Sequence, residues 1–366
     1  MSHQPLRIID ANLNRSSEGL RVLEDIARFL FNDVELRQRL RTLRHDLAEE
    51  TKSLSVRLLS QRDSEHDVGR PLSSAERELT MESTPLQGLM DLVTANAKRV
   101  EESLRVVEEL AKLPDLSSML NSARFGQARF ALYTLERDLI SRISRRSKTE
   151  RVGGLYVILD RQFVIGKNEL DVAEQIIEGG ARIIQLRDKS RFYRDRKGEL
   201  LLVAQRLREL CSQADVLFVI NDYLDLALAV DADGLHLGQE DLPLHVIRRE
   251  LPVDKIVGCS VTTLSQATEA QAEGADYIAV GSIFPTATKD GATVVGVDRL
   301  QEIKRAVSTP LVAIGGINQN NIGEVLSAGA DAVAVISAVL GEKDIKGAVQ
   351  KLMAEMESAT GECQDH

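Results

Sequence analysis

Cysteine is scarce in this chain. There are three in 366 residues, Cys211, Cys259 and Cys363, widely spaced and odd in number. That excludes a disulfide framework and a zinc site and leaves reduced thiols, as in a cytoplasmic protein. The six histidines show no metal-ligand spacing. No N-terminal signal sequence and no apolar run of spanning length is present, so neither export nor membrane insertion is expected. Positive charge is in deficit: a net charge of −10 argues against a general nucleic-acid binder. A Gly-x-x-x-x-Gly-Lys-Ser/Thr loop is also missing, so any ATP site must be built differently. What remains is a hydrophobic content of 43%, ample for globular cores, on a chain whose length favours two domains.

The two halves follow different patterns. Residues 1–148 read as helices only, with apolar residues recurring at three and four, as in Leu20, Leu23, Ala27 and Leu30. The stretch RISRRSKTERVGG, 142–154, breaks this pattern and reads as a linker. From Leu155 short β-rich runs alternate with helical patterns. The runs are Leu155–Leu159, Arg182–Leu186, Val216–Asn221, Gly234–Leu237, Ile256–Cys259, Tyr277–Val280, Leu311–Ile314 and Ala332–Ile336. Eight such units predict an α/β fold, a (βα)8 TIM barrel over 154–350; an open doubly wound sheet is the alternative, disfavoured by the even spacing and the count.

In such barrels the chemistry sits at the C-terminal ends of the strands. The candidates are then Gln185, Arg187 and Lys189 after the second run, Asn221 and Asp222 after the third, and Asp241 after the fourth. Ser260 follows the fifth, GSIFPTATK (281–289) the sixth, Gly315-Gly316 the seventh and Ser337 the eighth. Adjacent strands lie about 4.8 Å apart, so Asp222 and Asp241 converge and suit Mg²⁺ with a substrate phosphate completing its shell. As single residues they can equally be helix caps or loop solvators. Arg187 and Lys189 can be surface charges, and Gly315-Gly316 can simply serve a tight turn. His236, alternating with Leu235 and Leu237, reads as a satisfied structural histidine.

The motifs QLRDK (185–189), IND (220–222), HLGQED (236–241), GCS (258–260), PTATK (285–289), IGGI (314–317) and VISA (335–338) resemble thiamine-phosphate synthase, in order, over about 154–342. The resemblance implies a Mg²⁺-dependent barrel enzyme. Such an enzyme joins 4-amino-2-methyl-5-hydroxymethylpyrimidine diphosphate to thiazole phosphate, giving thiamine phosphate and pyrophosphate. It implies Asp222 and Asp241 as metal ligands. Gln185, Arg187, Lys189, Asn221, Ser260 and Lys289 fall on the pyrimidine diphosphate, with Arg187, Lys289 and Ser260 as the catalytic set. Thr286 and Thr288 fall on the thiazole, and Gly316, Ile336 and Ser337 on its phosphate. Cys259 departs from the small or branched apolar residue expected there.

The helical half holds an internal repeat. Ala11–Ala27 recurs as Ala95–Ala111 at an offset of 84, with nine of 17 positions identical. Two similar helices imply a pseudo-twofold domain. Asn12, Arg15, Asn96 and Arg99 are its candidate anion-binding residues; the plainer reading makes each Asn a helix cap and each Arg a partner in an exposed ion pair. The repeated Asn-x-x-Arg-x-x-Glu helices, the loop His66-Asp67-Val68-Gly69 and the fusion context resemble a small helical hydroxymethylpyrimidine phosphate kinase domain, which implies ATP as co-substrate. The competing expectations are a non-catalytic helical dimerisation module in front of the synthase, and a thiazole-binding regulator or tautomerase barrel. Homo-oligomerisation stays open. The expected partners are small-molecule substrates, not nucleic acid or membrane.

Overall fold

The three-and-four spacing of the first half does become helix. The computed structural model describes residues 4–31, 33–61, 85–189, 197–286, 288, 291 and 293–361. The chain divides into two compact units, Met1–Ser144 and Arg145–His366. The first unit holds α1 (Gln4–Asp25), a π-helical turn (Ile26–Leu30), α2 (Val34–Thr51), short α3 (Ser55–Leu59), α4 (Pro85–Leu110) and most of α5 (Ser122–Thr149). The Asp33 carboxylate caps α2 by accepting from the Leu36 amide at 2.9 Å. The loop 66–69 lies outside the described residues.

The two repeat helices, α1 and α4, pack against each other. Matched apolar positions meet in one core: Leu20 with Leu104, Leu23 with Val107 and Ala27 with Ala111 are all buried. The approach is close because position 19 has no side chain. A Cβ on Gly19 would lie 2.6 Å from Val100 Cγ2 and 3.1 Å from the Asn96 carbonyl oxygen.

The duplication runs further than sequence identity reveals. Glu24 accepts Arg44 Nε and Nη2 from α2 at 3.1 and 2.9 Å. Its copy Glu108 accepts Arg129 Nε and Nη2 from α5 at 3.4 and 3.3 Å. With Arg44 matched to Arg129, the buried positions Leu40, Leu43 and Leu47 fall on Phe125, Ala128 and Leu132. Each repeat is therefore a helix pair, α1–α2 and α4–α5.

The linker expected at 142–154 is helical through Thr149. Its basic residues are held, not solvated. Arg145 Nε donates to Asp276 at 2.8 Å and Lys148 Nζ to Asp254 at 3.0 Å, both within the second unit.

The second unit is a closed barrel of eight parallel strands in chain order. They are β1 (Gly154–Asp160), β2 (Ile183–Arg187), β3 (Leu217–Asn221), β4 (Gly234–Leu237), β5 (Ile256–Val261), β6 (Tyr277–Val280), β7 (Leu311–Ile314) and β8 (Ala332–Val335). The surrounding helices are α6 (Glu169–Glu178), α7 (Lys197–Gln213), α8 (Leu224–Ala229), α9 (Leu244–Glu250), α10 (Leu264–Ala272), α11 (Gly296–Ala306), α12 (Ile322–Ser327), α13 (Ser337–Leu340) and α14 (Ile345–Gly361). Strand side chains alternate faces. Tyr156, Ile158, Leu217, Val219 and Tyr277 fill the barrel interior. Leu155, Val157, Phe218, Ile220 and Ile278 face the helices. Cys211 and Cys259 are both free and buried, and burial pushes their thiols up to about 12 and about 11, so neither is a thiolate at neutral pH. Cys363 lies outside the described residues. No described helix is long and apolar enough to cross a membrane.

Candidate active site

The same alternation aims the polar candidates inward. On β2, Gln185 and Arg187 share the face of Ile183, which belongs to the interior cluster. Ser260 shares the face of Ile256 on β5. Asn221 and His236 are register partners on β3 and β4. The barrel thus carries Gln185, Arg187, Asn221, His236 and Ser260 on one wall, toward the C-terminal mouth.

The two carboxylates meet at this mouth. Asp222 follows β3 in the left-handed region, φ 63°, where Asp is tolerated, and its amide donates to the His236 carbonyl at 2.9 Å. The Asp241 carboxylate turns back to accept from the Gly238 amide at 2.7 Å. The two carboxyl groups come within hydrogen-bonding reach of each other. Burial and the neighbouring Asp241 hold the Asp222 carboxyl above the ordinary range, against the pull of Lys189, whose Nζ sits 2.5 Å from it. Neither residue caps a helix, so the helix-cap alternative for Asp222 and Asp241 falls away. Two half-buried carboxylates side by side, one of them held above the ordinary range, make an oxygen donor set short of positive charge. Among the described residues no cluster of three or more His, Cys, Asp or Glu could hold a metal alone. Arg187 pairs with Asp160 at the end of β1, a fully buried carboxylate that no motif singled out.

A hydrogen-bonded chain crosses the barrel beneath the mouth, and the sequence reading missed most of it. Gln185 Nε2 donates to Tyr156 Oη at 2.7 Å. Tyr156 Oη lies 3.0 Å from Tyr277 Oη, which lies 3.0 Å from His236 Nδ1. His236 Nε2 is 2.8 Å from Ser260 Oγ. Burial pushes both phenols well up, so both keep their protons. With Gln185 donating, the Tyr156 proton has only Tyr277 to go to. The Tyr277 proton then goes to Nδ1, His236 carries its proton on Nε2, and Ser260 accepts it. The Ser260 hydroxyl keeps its own proton for the mouth. His236 is satisfied, as expected, but one of its partners is a site residue. Gly258 makes the arrangement fit, since a Cβ there would lie 2.0 Å from the Tyr277 ring.

Tyr277→Phe tests this polarity. It keeps the ring and orphans two buried groups, the Tyr156 proton and His236 Nδ1, at a cost of about 1–3 kcal/mol each. The wild-type ¹⁵N spectrum should show His236 as the Nε2–H tautomer. The variant should show mixed tautomers and a lower urea midpoint. An unchanged His236 tautomer would refute the chain.

The loops after β6 and β7 interlock. The amides of Ile283 and Phe284 donate to the carbonyls of Ile314 and Gly315 at 2.9 Å each. Gly315 and Gly316 have φ of 101° and 66°, and Cβ atoms there would lie 2.0 Å from Ser282 Oγ and 2.5 Å from the Pro285 carbonyl oxygen. Turn and close approach both require glycine. The Gly316 amide has no acceptor among the described residues. Ile336 precedes α13, where the Val339 and Leu340 amides already donate to its carbonyl, so only the Ser337 and Ala338 amides lack a helical partner. Thr286 and Thr288 hydrogen-bond each other at 3.2 Å. Lys289 lies outside the described residues.

In the helical unit Asn12 and Asn96 are buried in mid-helix and cap nothing. Their amide nitrogens donate to the Ile8 and Leu92 carbonyls at 2.8 and 2.9 Å. Arg15 and Arg99 are exposed. Neither forms the ion pair expected with Glu18 or Glu102, and Arg99 reaches Asn96 Oδ1 at 3.5 Å.

Residues 155–339 match the family described as thiamine monophosphate synthase, and residues 7–138 match the ThiD2 family. A thiamine-phosphate synthase of Synechocystis sp. is 39% identical over 351 residues, 96% of each chain. One of Methanospirillum hungatei is 48% identical over 199 residues, 54% of this chain and 95% of its own. The solved thiamine phosphate pyrophosphorylase of Pyrococcus furiosus shares 42% identity and a TM-score of 0.53, over 58% of this chain and 98% of its own. Barrel, mouth and both sets of relatives agree: the chain belongs to the thiamine-phosphate synthase family, with a ThiD2 domain in front of its barrel.

Proposed function

We propose that the chain performs two consecutive steps. The helical unit, residues 1–148, phosphorylates 4-amino-2-methyl-5-hydroxymethylpyrimidine phosphate with ATP. The barrel, 154–350, joins the resulting diphosphate to thiazole phosphate. The observation that carries the second step is the convergence of Asp222, Asp241, Lys189 and Arg187 on one rim. The first rests on the ThiD2 match at residues 7–138.

In the kinase step a phosphate oxygen of the monophosphate bonds to the terminal phosphorus of ATP, and ADP leaves. In the coupling step the bond from the pyrimidine methylene carbon to the diphosphate oxygen breaks. Its electron pair leaves with pyrophosphate, and the thiazole nitrogen bonds to that carbon. The acid pair fits a hard divalent cation, because a cation beside Asp222 and Asp241 offsets both their burial and their repulsion. Mg²⁺ bound there supplies positive charge to the leaving diphosphate. Arg187, aimed by Asp160, and Lys189 meet the same developing charge, as does Lys289. Gln185 and Asn221 orient the pyrimidine, and the Ser260 hydroxyl donates its remaining proton to the substrate. Thr286 and Thr288 line the thiazole side. The amides of Gly316, Ile336 and Ser337 take its phosphate. No general base is required, and catalysis is charge stabilisation with positioning.

Phosphorus NMR on the full chain tests both halves. With monophosphate, ATP and Mg²⁺, ADP and pyrimidine diphosphate should appear in equal amounts, and added thiazole phosphate should convert the diphosphate into thiamine phosphate. No ADP above the blank would refute the kinase half and leave a helical association module. Diphosphate that persists after thiazole phosphate is added would refute the barrel half.

A further inference from the structure

The two helix pairs of the first unit share a plan but not a surface. Between α1 and α2 lies a cleft of about 200 Å³ lined by Ser16, Ser17, Leu20, Arg44, Ala48 and Thr51 among others. Its floor is buried: Ser16, Leu20, Leu47 and Thr51. The Ser16 and Thr51 hydroxyls donate to the carbonyls of Asn12 and Leu47 at 2.9 and 3.0 Å, so toward the cleft they offer acceptors. Arg44 spends Nε and Nη2 on Glu24, and its Nη1 has no partner among the described residues.

The equivalent place between α4 and α5 is filled by the protein itself. Ala48 is matched by Tyr133, Ser17 by Glu101 and Thr51 by Glu136. Arg129, the copy of Arg44, gives its Nη1 to Tyr133 Oη at 3.0 Å and lies 5.8 Å from that ring's centroid. Glu101 and Glu136 face each other, and burial with that neighbour pushes Glu101 up to about 7. One half thus presents a ring with an oxygen on its arginine. The other presents a cleft where that ring would stand.

We propose that the α1–α2 cleft holds the phosphorylated aminopyrimidine of the kinase step, and that the α4–α5 copy is closed by Tyr133. This rests on the kinase reading and adds its binding site. The fit is chemical. A flat ring lies on Leu20 and Leu47, an exocyclic amino group donates to Ser16 and Thr51, and an anionic oxygen takes Arg44 Nη1. A cavity of about 150 Å³ takes benzene, so about 200 Å³ has room for a substituted six-membered ring. Arg15 and Arg99 are not among the lining residues.

The test closes the cleft with the residues of its own copy. Ala48→Tyr and Ser17→Glu each place, at an exposed position, the side chain that the fold already carries at the equivalent position of the other pair. Binding of the pyrimidine monophosphate to the full chain is measured by calorimetry, and its phosphorylation by ADP release, with circular dichroism as the folding control. Each variant should weaken binding by about tenfold or more, with a matching fall in kcat/KM. Tyr133→Ala, which opens the other cleft, should leave both unchanged. If the wild type binds and converts the monophosphate and the two closing variants do so equally well, the cleft assignment is overturned while the kinase stands. If the wild type neither binds nor converts it, the kinase reading falls and the cleft with it.

Discussion

Asp241→Asn should lower thiamine phosphate formation by about 10³-fold, and Asp222→Asn should do the same. Each substitution keeps the shape of the side chain and removes one negative charge from a site that, on the proposed function, gathers positive charge around a leaving diphosphate. Loss of one such electrostatic element costs about 10²–10³ in turnover in comparable sites, and loss of a bound ion costs more. A second readout separates function from folding. Asp222 sits half-buried against Asp241 and is held above the ordinary carboxylate range, so neutralising it removes a repulsion from the ion-free chain. Asp222→Asn should therefore unfold at an equal or higher denaturant concentration while losing activity. Binding of Mn²⁺, a stand-in for Mg²⁺ visible by electron paramagnetic resonance, should weaken in both variants. Near-normal activity at limiting Mg²⁺ would remove the pair from the site.

Arg187→Ala should lower coupling turnover by about 10²–10³-fold, with a smaller effect on KM. The guanidinium would act on charge that develops as the carbon–oxygen bond breaks, more than on the bound ground state. This variant also leaves the fully buried Asp160 carboxylate without its partner, which costs about 3–5 kcal/mol. Loss of activity alone would then be ambiguous. The double variant Asp160→Asn, Arg187→Ala removes the orphaned charge. It should recover most of the stability and none of the turnover, measured by urea unfolding and by steady-state rates with diphosphate supplied. Arg187→Lys should be intermediate, since an ammonium cannot hold Asp160 and a diphosphate oxygen through one planar fork. Recovery of turnover in the double variant would make Arg187 a structural partner of Asp160 and nothing more.

The barrel was legible because its signals are local. β4, β6 and β7 match their apolar runs residue for residue, and the other strands differ by one or two residues at their ends. The rule that barrels work at their C-terminal strand ends gave the rim. Tyr156 and Tyr277 escaped for the same reason. They stand at interior core positions and serve as core, and only three dimensions bring their hydroxyls into line between Gln185 and His236. Asp160 looked like any carboxylate at a strand end until Arg187 was set beside it. Residues 142–149 read as linker because the partners that hold them in helix, Asp276 and Asp254, lie more than a hundred residues away.

The helical unit was legible in one repeat and silent in the other. α1 and α4 kept nine of 17 identities, whereas α2 and α5 kept a pattern of burial and scattered identities such as Arg44 with Arg129 and Leu47 with Leu132. Asn12 and Asn96 drew attention as polar identities, yet both turn their amides back onto their own helices. What distinguishes the two halves is where the repeats differ, at Ala48 and Tyr133 and at Ser17 and Glu101. Identity counting overlooks such positions, and they decide which cleft is open.

The most direct measurement gives the Asp241→Asn chain pyrimidine monophosphate, ATP, Mg²⁺ and thiazole phosphate in one vessel, with products resolved by mass. Two separate sites in one chain predict that pyrimidine diphosphate accumulates in step with ADP while thiamine phosphate stays near background. Failure of the diphosphate to appear, or thiamine phosphate formed at the wild-type rate, would contradict that division of labour.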